Sequence, residues 1–175
     1  MQDRFLDKNQ QTDCLHMTNN NYSNEEIKRR ITICLDLLFT KDSFLLKNSV
    51  HERTIAARLF LYLNKLFPKH TVDCEYDKHG EQARKILMGI KECSKKKKND
   101  YVIPDIIIHT RNTDKNNLLV IEIKKNRKDS CDIKKLEKFT DQSGIFGYKL
   151  GLFIKFNLTN EPSLIWFEDG KQIDL

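Results

Sequence analysis

With 175 residues, 39% hydrophobic and 32% charged, the chain is long enough to bury one core. It has no apolar run of membrane-spanning length and no apolar stretch of a secretory signal near residue 1, features expected of a single soluble, cytoplasmic globular protein. The 31 basic residues outnumber the 25 acidic ones, and the net charge of +6 with a pI near 9.0 is compatible with a polyanionic partner without requiring one.

Residues 1–22 are polar, asparagine-rich and without sustained periodicity, which predicts a flexible tail ahead of one domain over 23–175. Ser23 and Glu26 form a capping-box pair opening a helix through about residue 39, with Ile27, Ile31, Cys34 and Leu38 on one face. A second helix is expected over 50–67, stopped by Pro68, with a stripe of Ile55, Ala56, Leu59, Leu63 and Leu66. Glu52 falls on the buried side of that helix by the same count. It has two readings: an acid directed at a site, or the member of a capping box that reaches back to the Ser49 amide from three residues on. Residues 72–76 read as a strand carrying Glu75, and 82–92 as a helical piece with Ile86, Leu87 and Ile90 apolar. Lys95 to Lys98 then make a basic run, read either as a solvated loop or as a phosphate contact.

Two short β-branched runs follow, 104–109 and 118–125, separated by a stretch holding Asn112, Asp114, Asn116 and Asn117. This pattern predicts a hairpin. Centred on Thr113 and Asp114, the antiparallel register sets Asp105 opposite Glu122, and directly opposed residues share a face. Lys124, two residues beyond Glu122, projects on that face too, because side chains alternate along a strand. Two carboxylates about 5 Å apart repel unless a cation offsets them, and a hard divalent ion is suited to one or two carboxylates plus a phosphate. The bland reading is a buried hairpin in which Asp105 caps the strand end and Lys124 and Lys125 are solvated edge charges.

Beyond the hairpin, Arg127, Lys128, Lys134 and Lys135 add basic charge. A helix is expected over 132–142 with Ile133, Leu136 and Phe139 inward, then strands over 148–156 and 163–168. Five cysteines, Cys14, Cys34, Cys74, Cys93 and Cys131, are odd in number and scattered, and read as reduced thiols with no zinc spacing.

Pro104 and Asp105, followed by Glu122, Ile123 and Lys124, resemble the PD-(D/E)xK nuclease superfamily. The element order helix, strand, hairpin, helix, strand is similar to that family's core over roughly residues 50–156. The resemblance implies an α/β, restriction-endonuclease-like fold: a mixed sheet of four or five strands flanked by helices. It implies a metal-dependent nuclease, an endonuclease or exonuclease acting on DNA in preference to RNA. Asp105 and Glu122 would hold Mg²⁺, with Mn²⁺ as a substitute, and Lys124 would assist the attacking water. Glu52 would complete the acidic set, with Glu75 as its competitor, and Lys135 would either support the site or lie exposed on its helix. No DNA-reading motif is present, so specificity would come from loops, a homodimer or a partner subunit. The alternative is a catalytically inactive module of the same fold that binds nucleic acid or a partner protein.

Overall fold

The computed structural model describes residues 22–48, 50–76, 78–79, 83–84, 102–125, 130–157 and 161–174. The tail up to residue 21, the Lys95 to Lys98 run, Arg127, Lys128 and most of the helix expected over 82–92 lie outside the described residues.

Helix α1 (Asn24–Lys41) begins where its cap demands: Ser23 is extended, and its Oγ accepts the Glu26 N–H at 3.1 Å. The helix buries Ile27, Ile31, Cys34, Leu35 and Leu38. A short α2 (Ser43–Lys47) follows and leads to α3 (Glu52–Leu66), which buries Ile55, Ala56, Leu59, Tyr62 and Leu63. Each fully buried leucine or isoleucine of that stripe contributes about 1.5–3 kcal/mol of transfer free energy. The start of α3 corrects the capping-box reading of Glu52. His51 is the N-cap and makes no side-chain cap hydrogen bond, so Glu52 is the first helical residue and its carboxylate is free for another partner.

Strand β1 (Thr71–Cys74) is followed by a two-residue antiparallel pair, β2 (Lys78–His79) and β3 (Ala83–Arg84). Ala83 and Arg84 are thus in a strand ladder where a helix was expected. The hairpin strands are β4 (Ile106–His109) and β5 (Leu119–Lys125), and α4 (Ser130–Thr140) links β5 to β6 (Leu150–Phe156). The chain closes with β7 (Ser163–Glu168) and β8 (Lys171–Ile173). The sheet has six strands in the order β1-β4-β5-β6-β7-β8, one more than the upper expectation. Only β5 and β6 run parallel; the other neighbours are antiparallel.

The mixed sheet is covered on both faces. Leu119, Ile121 and Ile123 of β5 pack with the apolar stripes of α1 and α3, whereas Val120 packs with Leu136 and Phe139 of α4. Alternation along the strand therefore sends even-numbered residues of β5 toward α4. At Gly151 of β6 the helix and sheet approach so closely that a Cβ would stand 3.0 Å from Thr140 Cγ2 and 3.2 Å from Phe167 Cβ.

Tyr22 belongs to this fold and not to the tail. Its ring meets Phe67 edge-on at 5.4 Å, the Arg30 guanidinium lies 4.5 Å from it, and its carbonyl accepts from Lys149 Nζ. The cysteine expectation also changes: Cys34 and Cys74 are free thiols, but Cys131 is disulfide-bonded. Among the described residues no helix is long and apolar enough to cross a membrane.

Candidate active site

The β4–β5 ladder pairs Ile106 with Ile121, Ile107 with Val120 and Ile108 with Leu119. Continued outward by one residue, this register sets Asp105 across from Glu122. Here β4 ends and β5 continues, so the N–H groups along that edge of β5 lose their strand partner. Two carboxylates take them over. Asp105 Oδ2 accepts the Ile123 N–H at 2.7 Å, and Glu52 Oε1, arriving from α3 in the opposite layer, accepts the Lys125 N–H at 2.9 Å. Asp105 thus does cap the strand edge as the bland reading holds, and it does so beside Glu122.

Glu122 and Lys124 point toward the first turns of α4, where they meet two residues of that helix. Lys135 is no exposed helix lysine. Its Nζ lies 3.5 Å from Glu122 Oε1 and 2.7 Å from Asp132 Oδ1. Lys124 Nζ lies 2.9 Å from the other oxygen of Asp132. Glu122 and Asp132 are almost wholly buried, at 1% and 2% exposure, so these charges depend on one another and not on water. The contact of Glu122 Oε1 with Lys135 is an ion pair without hydrogen-bond geometry.

Burial drives the Glu122 carboxyl well above its usual pKa, and the opposed Asp105 reinforces the effect against the pull of Lys135. Burial also raises Asp105, although the Ile123 N–H favours its ionised form. Asp132 goes the other way: burial disfavours its charge, but Lys135 and Lys124 outweigh that and lower its pKa. Burial likewise disfavours both ammoniums, and their acidic neighbours more than compensate, so Lys124 and Lys135 are raised. The resulting division is chemical: one carboxylate, Asp132, is committed to two cations, while the Asp105 and Glu122 pair lacks enough positive charge.

Glu75 takes a different course. It has a φ of 46° and pairs with Arg53 at 2.8 Å, half exposed to solvent. Lys125 also turns away, its Nζ reaching the Asn48 carbonyl at 2.8 Å. Asp132 was not singled out by the sequence reading; its only signal is an acid in the first turn of a helix, three residues before a lysine.

Among the described residues no group of three or more His, Cys, Asp or Glu side chains is gathered closely enough to hold a metal ion. The opposed pair Asp105 and Glu122 still has the right chemistry for Mg²⁺, which keeps several waters and takes only one or two carboxylates along with substrate phosphate. Glu122 is buried with one ammonium, Lys135 at 3.5 Å, as its ion-pair partner, and this acid-rich donor set supports that fit.

Two other polar features lie elsewhere. At the far end of β4, His109 Nε2 lies 2.9 Å from Asp73 Oδ2, and Arg111 pairs with the same carboxylate. A cleft of about 430 Å³ opens at the opposite end of β5 and β6, beside Asn117, Lys149, Gln142 and Glu168. No protein-family model matches the chain, and no curated protein matches it.

Proposed function

We propose that this chain is a metal-dependent nuclease of the PD-(D/E)xK type, hydrolysing nucleic-acid phosphodiesters, with DNA the preferred substrate and a restriction-endonuclease-like core. The observation that carries the reading is the opposition of Asp105 and the buried Glu122 at the point where β4 ends, with Lys124 on the same face. Asp105 and Glu122 are the residues that would hold Mg²⁺ or Mn²⁺. A divalent ion held there would supply a bound water of lowered pKa and a polarised phosphoryl oxygen.

The chain's own groups do the rest. Lys124 carries a proton donor and a positive charge on the face of the carboxylate pair, where it orients the attacking water and balances phosphate charge. Asp132 holds that ammonium in place at 2.9 Å. Glu52 fixes the end of β5 through the Lys125 N–H and brings a further negative charge to the same strand edge.

The purified protein, incubated with circular DNA, linear DNA and RNA in Mg²⁺, Mn²⁺ or EDTA, should cleave DNA only with metal. Asp105→Ala and Lys124→Ala should each abolish most of that cleavage while remaining folded. Equal cleavage by wild type and Asp105→Ala would reject the reading. Glu52 is tested by comparing glutamine with alanine. Glutamine retains a carbonyl acceptor for the Lys125 N–H but not the charge, so Glu52→Gln should keep wild-type stability and lose activity if the charge matters. Full activity in Glu52→Gln with a loss of about 1 kcal/mol confined to Glu52→Ala would reduce Glu52 to a holder of the strand.

The inactive binding module of the same fold is favoured by one feature: the Lys124 ammonium is already engaged with Asp132. Binding of DNA without cleavage in any metal would select it.

A further inference from the structure

Nuclease sites built on carboxylates can take one divalent ion or two, and the number decides which charges the protein itself must supply. On the face of β5 that meets α4, the position between Glu122 and Asp132 is already held by a cation. The Lys135 Nζ stands 2.7 Å from Asp132 Oδ1 and 3.5 Å from Glu122 Oε1, a bridging place between two buried carboxylates. Its side chain is only 15% exposed, and moving the ammonium into solvent would take from the buried Glu122 its ion-pair partner. Both oxygens of Asp132 already face ammoniums, Oδ2 toward Lys124 at 2.9 Å and Oδ1 toward Lys135 at 2.7 Å.

We infer that Lys135 permanently occupies the second cation position of this site, so that the chain binds a single divalent ion, on the Asp105 side of Glu122. The inference rests on the metal-dependent reading of the Asp105 and Glu122 pair. Lys135 then acts through charge and position: it neutralises the carboxylate that shares the ion and keeps a second ion from entering beside it. Asp132 is its anchor, and it couples the two lysines of β5 and α4 into one fixed unit.

Mn²⁺ alone is the probe, with bound and free ion separated by electron paramagnetic resonance during a titration of the full chain. Wild type should bind one Mn²⁺. Lys135→Met removes the ammonium and leaves Glu122 Oε1 and Asp132 Oδ1 facing each other without a cation, so this variant should bind two. Lys135→Arg keeps the charge and should stay at one. Two ions in wild type would overturn the inference and leave the nuclease reading standing. No ion in wild type would overturn both. One ion in Lys135→Met, with unchanged affinity, would show that Lys135 fills no cation position. Should Lys135→Met fail to fold, Lys135→Gln is the replacement, and the wild-type stoichiometry decides by itself.

Discussion

Glu122 is almost wholly buried between an opposed acid and an ammonium, so its protonation records which neighbour prevails. Folding raises its pKa, chiefly through burial and then through Asp105. The folded state therefore keeps a proton that the unfolded chain releases, between the ordinary carboxylate range and the raised value. Stability falls as pH rises through that interval. Asp105, also raised, has the same sign. Asp132 is lowered, so its contribution is lost only at acid pH, and the raised lysines lose theirs only at strongly alkaline pH. Glu122→Gln is neutral throughout and nearly the same shape. In EDTA it should melt above wild type at about pH 8, with the difference shrinking toward about pH 5. Thermal melts across that range check this, and a pH-independent difference would contradict it. The opposition of Asp105 and Glu122 was legible because a hairpin register follows from its turn and its strand lengths alone. Asp132 was not, and Lys135 was reached only through the family resemblance with exposure as its alternative, since their meeting with β5 depends on how α4 lies across the sheet, which no local pattern encodes.

At the scale of elements, the site is only as fixed as α4. That helix carries Asp132 and Lys135 and rests on β6 where Gly151 leaves no space for a side chain. Gly151→Val would push against Thr140 of α4 and Phe167 of β7, neither of which is at the end of a flexible chain. Overpacking of this kind costs about 1–3 kcal/mol. The expected result is a lower denaturation midpoint together with weakening of the proposed metal-dependent cleavage, because the helix must shift to relieve the clash. Unchanged stability in Gly151→Val would mean that α4 has room the packing does not show. Element boundaries show which signals can be read. Ser23 set the start of α1 because a cap is a local interaction, yet α3 opened at Glu52, whose carboxylate is taken by a strand far away in sequence. The sixth strand had a clear local signal in Asp169 and Gly170, both at positive φ between Glu168 and Lys171. Its three residues are too short for alternation to reveal.

The whole molecule places the carboxylates by letting strands end at different heights. β5 pairs along its full length with the parallel β6, while β4 stops at Ile106, and the exposed edge of β5 becomes the place where Asp105 and Glu52 are held. Parallel pairing of β5 and β6 follows from α4 lying between them, since a crossover connection is needed to bring the chain back to the same end. The opposite layer is closed by α1 and α3, and their seam is sealed at one end by Tyr22. That residue touches Phe67 at the end of α3, lies near His70 and Arg30, and accepts a hydrogen bond from Lys149 ahead of β6. Residues 1–20 contain no apolar periodicity, so deleting them should leave melting temperature and cleavage nearly unchanged. Tyr22→Ala in the full chain should behave differently. Loss of the edge-on aromatic pair and the cation–π contact should destabilise the fold by about 0.5–1.5 kcal/mol beyond the area lost. Because Tyr22 lies at the end of the sheet away from Asp105 and Glu122, the proposed metal-dependent cleavage should keep its wild-type rate below the melting transition. Denaturant unfolding of the deletion and of Tyr22→Ala separates the two segments. A deletion as destabilising as the Tyr22 substitution would show that the domain begins earlier in the chain than Tyr22.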